Sequence, residues 1–74
     1  MEVVSMSISS NIKKAGYDKD EERLFVQFQR GHIYFYDNVP VSVWKEWKKA
    51  AGSYGRFFYH NIRGVYPARN TGKR

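Results

Sequence analysis

Residues 23–36, RLFVQFQRGHIYFY, decide the fold of this chain. Side chains alternate with a period of two in the first half of the stretch, as in a half-buried β-strand: Leu24, Val26 and Phe28 point one way and Phe25, Gln27 and Gln29 the other. Gly31 supplies the positive φ that a tight turn needs, and the alternation resumes beyond it. The stretch therefore predicts a β-hairpin, and we expect Ile33 and Phe35 on its inner face.

The flanking segments extend this hairpin to three strands. Residues 9–17 form a further extended segment, and the charged run 18–21 that follows it contains no strand-forming residue. On the other side, Asp37 and Asn38 end the second hairpin strand. The first half of the chain thus predicts an antiparallel meander.

The hydrophobic period changes after Pro40, which suits the first turn of a helix because its missing N–H is not needed there. Apolar residues then recur at helical spacing: Val43, Trp44, Trp47, Ala50 and Ala51. We expect Trp44 and Trp47 in the core. A second, shorter helix is predicted between the Gly52-Ser53 pair and Gly64.

The predicted fold class is α+β: a three-stranded antiparallel β-meander followed by two short helices, in two layers. We expect one domain over residues 1–67. Residues 68–74 contain no apolar side chain larger than alanine and are expected to form a flexible basic tail. A chain of 74 residues without cysteine depends on apolar packing or on oligomerisation for its stability, and a homodimer is one arrangement that would supply it.

The N-terminus shows no basic region followed by a long apolar stretch, so we expect no signal peptide. No run approaches the roughly 18 apolar residues of a membrane span. The absence of cysteine agrees with a reducing compartment. We therefore expect a cytoplasmic protein without a membrane partner.

Formal charge is divided unevenly along the chain. Residues 41–74 carry eight basic side chains against Glu46 alone, a balance of +7, so all of the net charge of +6 lies in this half. The same half contains seven aromatic residues. Cations mixed with flat rings suit a ligand that carries phosphates and bases, because cations neutralise phosphates and rings stack on bases.

Two groups of basic and polar residues are candidates for phosphate binding. The first group forms one stripe of the first helix: Lys45, Lys48 and Lys49. The second group lies on the second helix: Arg56, His60, Asn61 and Arg63. Alternatively, the lysines form a solvated face, Asn61 bonds the backbone of the last helical turn, and Arg63 pairs with Asp37 or Glu46.

Three tyrosines are candidates for stacking on bases: Tyr34, Tyr36 and Tyr59. Tyr34 and Tyr36 share a strand face about 7 Å apart, close to the spacing of successive bases. The alternative is that one or both pack beneath the helices. Which sheet face the helices cover decides between the two, since a shift of one residue exchanges the faces.

Several local patterns occur in order along the chain: Ser9–Ile12, Gly16–Asp18, Tyr34–Tyr36, Val39-Pro40, Phe58, Asn61–Gly64 and Tyr66-Pro67. Together they resemble the KTSC domain, a short module named from its place at the C-terminus of some lysyl-tRNA synthetases and also found as a stand-alone bacterial and phage protein. The set ending in N-I-R-G-x-Y-P is its most specific part. The resemblance implies a KTSC-like domain over residues 1–67 and, through the association with a tRNA enzyme, RNA binding. The Trp44 and Trp47 pair and the basic tail depart from the family pattern.

The residues give little support for catalysis, because there is no cysteine and most acidic residues lie in one turn. The two histidines have no third ligand nearby, so we expect neither a metal nor a cofactor. The first hypothesis is a non-enzymatic module that binds RNA or another nucleic acid. Alternatives are a protein, for instance phage-encoded, that sequesters a small nucleotide or nucleotide-derived signal, and an inhibitor of an acidic host protein. A small basic ribonuclease that uses His60 with Arg63 stays open.

Overall fold

Five strands and two helices make up the described residues, 1–8 and 11–70, of the computed structural model. The strands are β1 (Glu2–Ser5), β2 (Ile12–Asp18), β3 (Arg23–Phe28), β4 (Ile33–Tyr36) and β5 (Ala68–Asn70), and the helices are α1 (Val41–Lys48) and α2 (Tyr54–Asn61). The strands form one antiparallel sheet in the order β1-β2-β3-β4-β5. Both helices follow β4 and precede β5, so the predicted α+β class is confirmed.

The predicted number of strands is wrong, because one edge strand is added on each side of the meander. β1 pairs with β2, and β5 pairs with β4 so that Ala68 lies opposite Tyr36. Residues 68–70 therefore do not belong to a flexible tail, and residues 71–74 of the predicted tail lie outside the described residues. Both added strands are short, and their hydrophobic residues do not alternate clearly. They pair with β2 and β4 because the outer edges of those strands would otherwise have unpaired backbone groups.

The register between β3 and β4 decides which hairpin face the helices cover. Leu24 lies opposite Tyr36, and Val26 lies opposite Tyr34. Leu24 and Val26 are fully buried. Because cross-strand partners share a face, both tyrosines lie on the same side of the sheet as the core.

The prediction that Ile33 and Phe35 form the inner face is therefore wrong. Phe35 lies opposite Phe25, and their rings stack with centroids 6.0 Å apart on the face that the helices leave uncovered. Ile33 lies on this face as well, opposite Gln27. Apolar residues occupy both sides of the hairpin, so a period of two predicts the strands and leaves the buried side undecided.

Both tryptophans of α1 lie in the core, as predicted: Trp44 is 1% exposed and Trp47 0%. The Trp44 ring stacks on Tyr17 of β2 at 5.8 Å, and its Nε1 donates a hydrogen bond to Oε1 of Glu2 at 2.9 Å. The Trp47 ring contacts Phe58 of α2 at 5.9 Å. These contacts place α1 over β1 and β2 and join it to α2.

Phe58 attaches α2 to the other half of the sheet. Its ring meets Phe28 of β3 edge to face at 5.5 Å and Tyr36 of β4 at 5.6 Å. The residues that follow α2 line one cavity with those of the β3–β4 turn. The candidate site lies in the space between these two segments.

Candidate functional site

A cavity of about 720 Å³ opens between the turn of the β3–β4 hairpin and the C-terminal end of α2. We call it the Tyr36 cavity. Its lining includes five aromatic residues: Phe28, Tyr34, Tyr36, Phe58 and Tyr59. The basic residues of the lining are two arginines and a histidine: Arg30, Arg63 and His32. No carboxylate occurs among the described lining residues, so the cavity suits an anion.

The hairpin turn places Arg30 and His32 at one side of this cavity. The N–H of Phe28 donates to the carbonyl of His32 at 2.9 Å, and the N–H of Gly31 donates to the carbonyl of Phe28 at 2.8 Å. Gly31 has a φ of +101°, a value that glycine adopts without strain. The predicted glycine turn is therefore confirmed.

The end of α2 places Arg63 at the opposite side. The N–H groups of Ile62 and Arg63 both donate to the carbonyl of Phe58, at 3.0 and 2.9 Å. Gly64, predicted to end this helix, lies two residues beyond the cap residue Ile62, in the turn that follows, with a φ of +78°. Because the buried side chain of Ile62 anchors this turn, the neighbouring Arg63 points away from the core and is exposed.

Arg63 lies over an aromatic ring and lacks an ionic partner in the described part of the chain. Its guanidinium carbon lies 5.2 Å from the ring centroid of Tyr59. Within the described part of the chain no carboxylate lies within ion-pair distance of it, and the Asp37 carboxylate is bound by Arg23 and Arg69 instead. No described carboxylate occupies the hydrogen-bond donors of this guanidinium, so they are open to an external anion.

Tyr36 lies at the floor of the cavity and is 4% exposed. Its ring stacks on Tyr34 at 6.4 Å and meets Phe58 edge to face. Burial raises the pKa of the Tyr36 hydroxyl above its ordinary value of 10.0, and Tyr34 adds to this rise. The hydroxyl therefore stays protonated at neutral pH and is available as a hydrogen-bond donor.

The predicted stacking face needs correction. Tyr34 and Tyr36 share a strand face, as predicted, but that face is the one that the helices cover. The buried Tyr36 ring presents no open surface to a base. Tyr34 is half-buried, and Tyr59 is 49% exposed, so these two are the tyrosines of the cavity that a flat ligand can reach.

The lysine stripe of α1 lies apart from the Tyr36 cavity, above β1 and β2. Nζ of Lys48 forms an ion pair with Oε2 of Glu2 at 2.8 Å and lies 5.6 Å from the Trp44 ring centroid. Lys48 therefore has a structural partner, whereas Lys45 and Lys49 are exposed. The structure does not join the lysines and Arg63 into one site.

The remaining candidates on α2 face other cavities. Arg56 lines a space of about 440 Å³ near the start of α2, and Asn11 and Tyr59 line both this space and the Tyr36 cavity. His60 and Asn61 line a third space of about 470 Å³ between the two helices. Asn61 donates from Nδ2 to the carbonyl of Phe57 at 3.2 Å, which is the backbone role considered for it as an alternative. His60 and Arg63 therefore line different cavities.

Four residues with polar side chains that line the Tyr36 cavity were absent from the candidates: Asn11, Gln29, Arg30 and His32. Gln29 donates from Nε2 to the carbonyl of Ile12, so it links the hairpin to β2. A signal for Arg30 and His32 did exist, because they flank the turn glycine and must project beyond the sheet. What the sequence did not show is that α2 ends beside this turn.

Two general features bear on the kind of site. No group of three or more histidine or acidic side chains that could hold a metal ion occurs in the described ranges 1–8 and 11–70. None of the helices in those ranges combines the length and apolar character that crossing a bilayer requires. The aromatic and cationic lining of the Tyr36 cavity is thus the arrangement on which a functional hypothesis can be built.

Comparison with known proteins places the chain in a family. The family model of the KTSC domain matches residues 8–66. Among solved structures, a KTSC domain protein from Yersinia pestis is 36% identical in sequence, and the match covers 97% of this chain and 94% of that one with a TM-score of 0.79. A comparison with curated proteins found no match. The chain therefore belongs to the KTSC domain family.

Proposed function

We propose that this protein binds a nucleotide, a flat base carrying a phosphate, in the Tyr36 cavity. The observation that carries the proposal is the Arg63 guanidinium, which lies over the Tyr59 ring beside a cavity without a carboxylate among its described lining residues. An arginine that balances an internal carboxylate would be explained by the fold. Arg63 has no such partner in the described chain, so an external anion accounts better for its position.

Electrostatics favour an anionic ligand at this place. Arg30, His32 and Arg63 line the same cavity, and the half of the chain that contains α2 has a formal charge of +7. A one-signed field in a concave site raises the local concentration of anions and speeds their association. Arginine suits phosphate because its planar fork can donate two parallel hydrogen bonds.

Two rings can accept the base. Tyr59 is half-exposed and already carries the Arg63 guanidinium on its face, and Tyr34 is half-buried at the cavity wall. Stacking of a base on an aromatic side chain contributes about 1–3 kcal/mol and tolerates any base. The cavity volume of about 720 Å³ falls within the range of small-molecule sites, which supports a ligand of nucleotide size.

The geometry favours a single nucleotide over a long polynucleotide. A polynucleotide site needs cations that follow the backbone of the ligand over several phosphates. Here the lysines of α1 lie over β1 and β2, whereas Arg63 lies beside the β3–β4 turn, and one of the three lysines is engaged by Glu2. Tight binding of RNA that does not depend on Arg63 would favour the polynucleotide hypothesis instead.

Calorimetric titration at low salt tests the proposal. The ligands are the four ribonucleoside 5′-monophosphates, the corresponding nucleosides and a ten-nucleotide single-stranded RNA. We expect at least one monophosphate to bind more tightly than its nucleoside. The substitution Arg63→Gln is expected to weaken that binding roughly tenfold to a hundredfold, since it removes a charge-assisted contact, and to leave the melting temperature nearly unchanged.

Arg56→Gln is the matched control, because it removes the same charge at a residue of α2 outside the Tyr36 cavity, whereas Arg63 follows the end of that helix. Its nucleotide affinity should stay close to that of the wild type. Failure of all four monophosphates to bind would contradict the proposal. Equal losses in the two variants would contradict the assignment of the phosphate to Arg63.

A further inference from the structure

The hydroxyl of Tyr36 differs from the buried polar groups of Tyr17 and Trp47, which have partners in the fold. The Tyr17 hydroxyl donates to the carbonyl of Val39 at 2.6 Å, and Nε1 of Trp47 donates to the carbonyl of Tyr54 at 3.1 Å. Tyr36 is buried to a similar degree, with 4% exposure against 3% for Tyr17. In the described part of the chain its hydroxyl has no hydrogen-bond partner. Buried polar groups are nearly always paired, so an unpaired one requires an explanation.

The hydroxyl end of Tyr36 faces the cavity. Tyr36 lines this cavity together with Tyr34, Tyr59 and Arg63. The ring itself is held by contacts with Tyr34 and Phe58. The side chain is therefore fixed in place, with its one polar atom directed toward the space where the ligand is proposed to lie.

We infer that the Tyr36 hydroxyl is a buried hydrogen-bond donor to a terminal phosphate of the ligand, so that the cavity selects phosphomonoesters over internal phosphodiesters. This inference rests on the proposed nucleotide-binding function. Because the residue Tyr36 as a whole is only 4% exposed, its hydroxyl can be reached by a group at the end of a ligand. A phosphate inside a chain carries a substituent on both sides and is hindered from reaching the cavity floor.

Arg63 and Tyr36 have different roles in the proposed arrangement. Arg63 supplies the positive charge at the rim, because it is exposed. Tyr36 supplies a neutral donor at the floor, where a charged group would have to lose its hydration. A terminal phosphate has three unsubstituted oxygens, so it can accept hydrogen bonds from both residues at once.

The test uses Tyr36→Phe, which removes the hydroxyl and keeps the ring. We expect its melting temperature to equal or exceed that of the wild type, because the change removes an unpaired buried hydroxyl. Its affinity for the best-binding ribonucleoside 5′-monophosphate should fall by about tenfold or more, whereas its affinity for the nucleoside should stay the same. The wild type should bind a dinucleoside monophosphate of the same base, whose only phosphate is internal, more weakly than the monophosphate.

Tyr17→Phe is the matched control, since it removes a buried hydroxyl that has a partner in the fold. It should melt at a lower temperature than the wild type and keep its nucleotide affinity. Three results would overturn the inference: a melting temperature of Tyr36→Phe that falls like that of Tyr17→Phe, an unchanged affinity of Tyr36→Phe for the monophosphate, or equal binding of internal and terminal phosphates by the wild type. If the wild type binds none of the four monophosphates, the proposed function fails first, so the two failures are distinguishable.

Discussion

Arg69 holds β5 against the end of β4 by two hydrogen bonds to the Asp37 carboxylate, from Nε to Oδ2 and from Nη2 to Oδ1, both at 3.1 Å. Arg23 of β3 donates to the same carboxylate from Nε at 3.0 Å. Hydrogen bonds from Arg23, and next from Arg69, lower the pKa of Asp37 below its ordinary value of 3.8. One carboxylate thus connects three neighbouring strands at one end of the sheet.

This connection predicts a loss of stability in acid. Because the pKa of Asp37 is lower in the folded than in the unfolded chain, its ion pairs stabilise the fold fully above pH 3.8, and the contribution is lost as pH falls through the folded pKa. Thermal melts followed by circular dichroism from pH 7 to pH 2 should show a falling melting temperature below about pH 4. Asp37→Asn should melt at a lower temperature than the wild type at pH 7 and depend less on pH below 4.

Asp20→Asn is the control for this experiment, because Asp20 lies in an exposed turn and its carboxylate makes no ion pair with the described residues. Its pH profile should follow that of the wild type. Some acid dependence should persist in Asp37→Asn, since hydrogen bonds from Lys48 and Trp44 also lower the pKa of Glu2. Identical profiles for Asp37→Asn and the wild type would contradict the role assigned to Asp37.

Trp47 is expected to carry a large share of the stability. It is fully buried, and its ring contacts Trp44, Phe57 and Phe58. Truncation of a buried tryptophan to alanine costs about 3–5 kcal/mol, a large part of the 5–15 kcal/mol that holds a typical domain together. Trp47→Ala should be unfolded or molten at 37 °C by near-ultraviolet circular dichroism. Val65→Ala, at a residue that is 58% exposed, should melt like the wild type.

Lys48 and Lys49 should differ in their effect on stability although they are neighbours in one basic stripe. Lys48 pairs with Glu2 and lies over the Trp44 ring, whereas Lys49 is exposed and has no ionic partner in the described chain. Lys48→Ala is therefore expected to lower the melting temperature more than Lys49→Ala does. Equal melting temperatures for the two variants would show that the pair with Glu2 makes no measurable contribution to stability, as is the case for some surface ion pairs.

The exposed lysines should have little influence on nucleotide binding. Lys45→Glu/Lys49→Glu changes the charge of α1 and leaves the pair between Lys48 and Glu2 in place. At physiological salt, where charges are screened over about 8 Å, we expect its affinity for a ribonucleoside 5′-monophosphate to stay near the wild-type value. A steep loss of affinity for both nucleotide and RNA, with a native circular dichroism spectrum, would show that α1 belongs to the binding surface.

Much of the fold was predictable because its determinants are local. The turn at Gly31, the alternation around Val26, and the helical spacing of Trp44 and Trp47 are short-range patterns, and each predicted its element correctly. β1 and β5 were missed because a short edge strand forms wherever a neighbouring strand has unpaired backbone groups. Such a strand does not need alternating hydrophobic residues, so its sequence does not show it.

The candidate site was only partly predictable. The resemblance to the KTSC domain and the concentration of positive charge in residues 41–74 both came from the sequence, and the family model confirms the first. The seven phosphate-binding candidates, however, are divided among α1, the Tyr36 cavity and two other cavities. Charged residues that are close in sequence can lie far apart in space, because a helix directs successive side chains to different sides.

By itself, the sequence determined the family, the α+β class, and the helices that carry the buried tryptophans, because these depend on residue type and spacing along the chain. Only the tertiary structure decided which face of the hairpin is covered, since both faces are apolar and strand register alone assigns Tyr36 to the core. It also placed Arg63 and the hairpin turn, more than thirty residues apart in sequence, at two sides of one cavity. That placement depends on where α2 packs and ends, and packing follows from the shape of the whole core rather than from any local pattern.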